Sequence, residues 1–308
     1  MDLKETWSIA VFTRNEGRAL RNFLASVQAA AGSNPFRVTL LANGCNNEEE
    51  QAIRSLSNEF EHVRVATLAI GDKANAWNHY VHDLAPHGDG SGQCTHFFAD
   101  GDVTLEPNAL VTLASALENA PGAVAAGAMP ASGRDRDAWR ARMSTNAILA
   151  GGLYALRGNF LLRIRQRGIR MPIGFIGDDW LVSYLAAGNL GEPSSNAGES
   201  IVFQPDAEFR FRSLNPLVPA DYATYARRLW RYALRGIQFE MLVNLLAIEP
   251  LESMPTDVFE LYTRGLLPSR LKWVGWRSAI RTAAVISVRA VRTRGQQGKS
   301  PRHESVAQ

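Results

Sequence analysis

A chain of 308 residues, 46% of them hydrophobic and 20% charged, can bury one large core or two ordinary ones and is excluded from the disordered class. Its net charge of +3 is small but unevenly placed: from residue 265 onward nine basic residues accompany the single acid Glu304, a local +8 that leaves −5 for residues 1–264. Cys45 and Cys94 are too few for a disulfide framework and lack metal-finger spacing, so they read as reduced thiols, and the N-terminus lacks the pattern of a secretory leader, which predicts a cytoplasmic protein.

In chain order, short apolar runs rich in β-formers fall at 7–12, 37–42, 63–69 and 95–99, with helix-like segments at about 16–30, 47–59, 73–84 and 106–119 between and after them. Glu106-Pro107 fits the start of the last of these, because proline is tolerated at the first helical position. Alternation of strand and helix implies a parallel sheet, which the apolar run 123–129 continues. Beyond residue 130 the periodicity is less regular, with an apolar run at 201–203 and a long helical region at about 219–248 that mixes aromatic residues with Arg227, Arg228, Arg231 and Arg235. The economical division is a catalytic domain over 1–218 and a helical extension over 219–308 with a basic tail. That tail contains Trp273 and Trp276 and suits peripheral contact with an anionic membrane, here the inner face, but "AAVISV" within it is far too short to span a bilayer.

In open parallel sheets ligands bind beyond the carboxyl ends of the strands. The segments there are "TRNEG", "NGCNN", "GDKANAWN" and "ADGD", all polar and all on one edge. Asp100 and Asp102, separated by a glycine, are either a solvated turn or ligands for a cation. A second acidic pair, Asp178 and Asp179 in "GDDW", either favours a helix N-terminus or supplies a general base. No G-x-S-x-G elbow, Walker A loop or zinc spacing occurs, and nucleic acid is not an expected partner.

The ordered set "TRNEG", "NGCNN", "KANAWN", "ADGD", "GGLYALRG" and "GDDW" resembles the family 2 glycosyltransferases over roughly Trp7 to Arg235. The resemblance implies an α/β protein of GT-A fold, with a central, mostly parallel sheet flanked by helices and an inverting transfer from a nucleotide-sugar donor to a hydroxyl acceptor on a glycan or lipid-linked glycan. It implies that Asp100 contacts the ribose and that Asp102, with Asp100, holds Mn2+ or Mg2+ on the donor diphosphate. Asp179 is then the base and Asp178 its neighbour. Thr13, Asn15, Glu16, Asn43, Lys73 and Asn78 fall where the family binds the nucleotide, and Gly151, Gly152 and Trp180 on the acceptor side. Asn78 also reads as a helix-surface residue. Asn43, or Ala42, stands where many relatives place a uracil-binding aspartate, which weakens the case for UDP. "YARRLWRY" departs from the Q-x-x-R-W motif of processive members, and its arginines read as a solvated helix face rather than as diphosphate ligands. A sugar-phosphate nucleotidylyltransferase would carry a glycine-rich loop after its first strand, which "TRNEG" is not, and a non-catalytic carbohydrate- or membrane-binding scaffold would have lost its carboxylates.

Overall fold

A computed structural model describes residues 6–14, 16–86, 94–191, 200–214, 217–267 and 277–297, apart from the side chains of residues 220, 277 and 294–297. The described residues divide into two compact units, one running to Arg170 and resuming at Asp178–Leu214, the other made of Met171–Gly177 and the residues beyond 214.

The first unit opens with β1 (Trp7–Thr13), α1 (Arg18–Ala31), β2 (Phe36–Asn43), α2 (Asn47–Ser57), β3 (Val63–Leu68) and α3 (Lys73–His79), which runs on as a π-turn over Tyr80–Leu84. It continues with β4 (Thr95–Asp100), β5 (Val103–Leu105), α4 (Ala109–Asn119), β6 (Ala125–Pro130), α5 (Arg136–Asn146), β7 (Leu153–Arg157), α6 (Gly158–Gln166), α7 (Asp178–Ala187) and β8 (Ile201–Phe211). One eight-stranded sheet results, in the order β3-β2-β1-β4-β7-β6-β8-β5. The expected parallel half is present, because β3, β2, β1 and β4 pair parallel in sequence. The run at 123–129 does continue the sheet as β6, but β7 enters antiparallel between β4 and β6.

Strand order reverses between β1 and β4, so the crevice beyond their carboxyl ends is the expected ligand position. Period-2 alternation decides what faces it. Phe97 and Ala99 join Ile9, Val11, Phe23 and Leu113 in the apolar core on one face of the sheet. The opposite parity carries an aromatic layer centred on Phe98, whose ring lies 5.0 Å from Tyr154, 5.2 Å from Tyr80, 6.2 Å from Trp77 and 6.4 Å from Phe12. Trp77 and Tyr80 belong to α3 and its π-turn, so this layer seats α3 over the sheet. Asp100 shares the parity of Phe98 and is thereby aimed at the start of α3.

Two local expectations are corrected. Helix α4 begins at Ala109 rather than at Pro107, because Val103–Leu105 is taken up as β5 against β8 and residues 106–108 form the turn out of it, with Asn108 at φ 62°. Asn78 is 5% exposed and lies within the fold rather than on a helix surface. Cys45 and Cys94 form no disulfide, as expected. In the second unit α8 (Tyr222–Leu246) packs with α9 (Val258–Arg264) and α10 (Arg277–Gln297), and Trp273 and Trp276 lie outside the described residues. Among the described residues no helix is long and apolar enough to cross a membrane.

Within the aromatic layer, His96 is 2% exposed and its Nδ1 lies 3.0 Å from the Tyr80 hydroxyl. Burial, with Arg165 nearby, lowers the imidazole to about 4 from its ordinary 6.5. The unfolded chain therefore takes up a proton between pH 6.5 and 4 that the native state refuses, so this contribution is full above 6.5 and is lost as pH falls towards 4. Urea titrations of the wild type and His96→Gln should show the stability gap closing by about 3 kcal/mol across that window; a gap independent of pH would contradict a neutral buried His96.

Candidate active site

The site is assembled by three loops and one helix start. Beyond β2 and β3 the chain crosses itself at glycines: a Cβ on Gly44, at φ 65°, would lie 2.3 Å from the Gly71 Cα, so no other residue fits there. Asn43 Oδ1 accepts from the Asp72 N–H at 2.9 Å, and Asp72 in turn caps α3 by accepting from the Asn75 N–H at 2.8 Å. Asn43, expected near a nucleotide base, thus ties the β2 loop to the start of α3. Lys73 is the first residue of that helix.

The Lys73 ammonium lies 2.6 Å from Asp100 Oδ1 and 3.1 Å from Asp178 Oδ2, and 4.9 Å over the Phe12 ring. Burial alone would depress this lysine. The charges of Asp100, Asp178 and Asp179 more than offset it and hold the ammonium well above the usual lysine range. Burial also acts on Asp100, and with the charges of Asp178 and Asp102 it raises that carboxyl to about 6 despite Lys73. Asp100, Asp178 and Asp179 therefore act on one ammonium, with Asp102 acting on Asp100, a negative excess that favours a further cation.

Asp178 and Asp179 open α7, where the helix dipole favours their charge. Asp178 is 8% exposed and Asp179 half-buried. Ser183 holds this turn to the preceding loop, donating to the Asp179 carbonyl at 2.6 Å and accepting from the Leu149 N–H at 2.8 Å. The two glycines before β7 have different duties. A Cβ on Gly151 would stand 3.1 Å from Lys73 Nζ, 3.6 Å from Asp100 Oδ2 and 3.8 Å from the Asp179 Cβ, so Gly151 borders the carboxylate cluster. A Cβ on Gly152 would lie 2.2 Å from the Phe209 ring, so Gly152 serves the packing of β8.

At the end of β1 the Glu16 carboxylate accepts from the Thr13 hydroxyl and from the Arg14 N–H at 2.7 Å, closing the turn after the strand. Asn15 lies outside the described residues. Gly101 lies close to the end of β1: a Cβ there would be 3.1 Å from the Phe12 carbonyl and 3.2 Å from the Thr13 Cβ, so a larger residue would have to displace its neighbours by a few tenths of an ångström. Asp102 is exposed just beyond it, and Trp180 is half-buried on α7.

Sequence reasoning missed the floor of this site. Trp77 Nε1 and the Tyr154 hydroxyl are buried there, and Asp178 Oδ2 is buried with the Lys73 ammonium as its ion-pair partner. Burial, with the charge of Asp178, holds the Tyr154 phenol well above 10, so it keeps its proton. The signal was available in "GGLYALRG", where Tyr154 falls on the same sheet face as Asp100 once β7 is paired with β4.

The profile described as Glycosyl transferase family 2 matches residues 8–177, more than half of the chain. The chain belongs to that family. This glycosyltransferase has the GT-A fold: it superposes on a mannosyltransferase from Pyrobaculum calidifontis, solved in complex with GDP-Man and Mn2+, with a TM-score of 0.56 and 16% identity over 94% of this chain and 78% of that one. Glucosyl-3-phosphoglycerate synthase from Mycobacterium tuberculosis, in complex with Mn2+ and UDP-glucose, aligns with a TM-score of 0.47 and 15% identity over 75% of this chain and 78% of that one. No curated protein sequence matches.

Oxygen donors of this kind suit Mg2+ or Mn2+. Among the described residues no three of His, Cys, Asp and Glu converge into a cage, so a cation here would complete its shell with water and donor oxygens, as magnesium commonly does. Lys73→Met should cost about 2–3 kcal/mol in urea unfolding, because it leaves two partly buried carboxylates facing each other uncompensated. The same substitution in an Asp178→Asn background should cost clearly less. Additive losses would show that Lys73 does not couple the two motifs.

Proposed function

We propose that the enzyme transfers a sugar from a nucleoside-diphosphate sugar to a hydroxyl acceptor, a glycan or lipid-linked glycan, with inversion at the anomeric carbon. The observation that carries the reading is the single ammonium, Lys73, within 3.1 Å of carboxylates from both acidic motifs. Membership of glycosyl transferase family 2 supports the reaction class. GDP-Man and Mn2+ in the Pyrobaculum mannosyltransferase support a nucleotide-sugar donor and a divalent metal.

In this reading Asp179 takes the proton of the acceptor hydroxyl as that oxygen attacks the anomeric carbon from the face opposite the leaving group. The bond to the nucleoside diphosphate breaks in the same displacement. An alcohol is a weak nucleophile until its proton is removed, and a carboxylate held at a helix start can remove it in the transition state. Asp178 stays beside Lys73 and fixes the first turn of α7. Asp100 turns towards the donor ribose, while Asp102, with Asp100, would hold Mn2+ or Mg2+, which supplies neutralisation of the departing diphosphate when bound. Lys73 exchanges a carboxylate partner for a phosphate oxygen when the donor enters, which keeps its charge compensated. Thr13, Asn15, Glu16 and Asn78 belong to the nucleotide side and Gly151 and Trp180 to the acceptor side, with Gly151 leaving room against the carboxylates. Gly152 and Asn43 act through packing and loop position.

With a panel of nucleotide-sugars as donors, Asp179→Asn should retain donor affinity by thermal shift while transfer, or donor hydrolysis in the absence of an acceptor, falls about 10²–10⁴-fold. Full turnover in that variant would remove Asp179 from the base role. Activity should also be lost in EDTA, return with Mn2+, and fail to return in Asp102→Ala; undiminished turnover in EDTA would overturn the metal assignment.

A further inference from the structure

Helix α8 has two halves of different character. Its buried residues, Ile237, Gln238, Met241, Leu242, Leu245 and Leu246, all lie in the second half, where α9 and α10 cover it. From Tyr222 to Gly236 no residue is buried, although the segment contains Tyr222, Trp230 and Tyr232, exposed by 55%, 37% and 54%. Large aromatic side chains on a helix that serves no core leave a considerable apolar area in water.

Charge is placed as selectively. Between residues 222 and 239 there are four arginines and no acid. At 100° per residue, Arg227, Arg228, Arg231 and Arg235 fall within one 100° arc, with Trp230 and Tyr232 at its two margins. Arg227, Arg228 and Arg231 are exposed and have no partner among the described residues. Several acids of this unit are engaged elsewhere: Glu240 pairs with Arg281, while Glu249 and Glu260 pair with Arg264. The Arg235 guanidinium lies 5.0 Å over the Tyr232 ring. A stripe of exposed guanidinium groups is self-repelling, screened by salt in solution and relieved more fully by an anionic surface.

We propose that the first half of α8 docks on an anionic phospholipid surface, the arginines meeting headgroup phosphates and Trp230 with Tyr232 entering the interfacial layer. Charge complementarity selects an anionic partner. The aromatics at the margins select a bilayer over a dissolved polyanion, because tyrosine and tryptophan combine an apolar body with a polar tip that suits the headgroup level. The helix lies along the surface; it does not cross it. The proposal concerns residues 222–235 and not the basic residues beyond 265, and it stands whatever donor the active site takes.

Cosedimentation of the full chain with vesicles tests it, using phosphatidylcholine alone and phosphatidylcholine mixed with phosphatidylglycerol. The wild type should bind the mixed vesicles at low salt, bind pure phosphatidylcholine poorly, and release at about 0.5 M salt, where the screening length shrinks to a few ångströms. Combining Arg227→Gln, Arg228→Gln and Arg231→Gln, which preserves helix propensity, should weaken binding about a hundredfold, roughly fivefold per arginine, with an unchanged circular dichroism spectrum. A chain with Lys272→Gln, Lys299→Gln and Arg302→Gln should retain binding. Undiminished binding by the α8 variant, or loss of binding in the tail variant alone, would overturn the proposal. So would a wild type that binds heparin or single-stranded DNA but no vesicles, or one that pairs with a second copy through this face and ignores lipid.

Discussion

The structure turns on one ammonium group. Lys73 lies between a carboxylate at the end of a central strand and a carboxylate at the start of a helix, and it makes one site of two acidic motifs that are remote in sequence. Without it, Asp100 and Asp178 would face each other as like charges in partly buried positions, which costs several kcal/mol unless one is neutralised. With it, the cluster still has more carboxylates than cations. That residual imbalance suits a centre built to receive a cation and a charged leaving group.

What holds Lys73 there is apolar. The ammonium begins α3, and α3 is seated on the sheet by Trp77 and Tyr80 packed on Phe98, with Tyr154 beneath. The same parity that puts Phe98 under the helix aims Asp100 at its first residue. On the far side, Asn43 and Asp72 fix where α3 starts, through a loop crossing so close that Gly44 allows no side chain. Electrostatics at the site therefore depend on packing one layer below it. The polar edges of Tyr154 and Trp77 are buried at that boundary, where the charge of Asp178 acts on the Tyr154 phenol.

Much of this was legible in the sequence because the signals were local. The four parallel strands were marked by β-rich runs, and their polar sequels by composition. Asp100, Asp178 and Lys73 were all singled out, since acidic pairs and a lysine after a strand stand out from their neighbours. That one lysine joins both motifs was not legible, because β7 enters antiparallel beside β4 and brings Gly151 and Tyr154 to the cluster, a pairing that no local pattern encodes. Val103–Leu105 is too short to announce itself as a strand and read as the approach to a helix at Pro107. Gly151 and Gly152 looked equivalent in sequence, yet one borders Lys73 and the other makes way for Phe209. Asn43, read as a contact for a base, also holds a loop, a duty its local sequence does not show.

The central claim is that both acidic motifs serve one nucleotide-sugar site. It is tested most directly by thermal shift with UDP-, GDP-, CMP- and dTDP-sugars, each with and without Mn2+, on the wild type and on Asp100→Asn and Asp178→Asn. A cognate donor should raise the wild-type melting temperature in the presence of metal, as about 2.7 kcal/mol of added stability requires at a hundredfold excess over Kd, and each substitution should abolish or sharply reduce that rise. A donor-induced rise that survives intact in both variants would place the donor elsewhere and contradict the account.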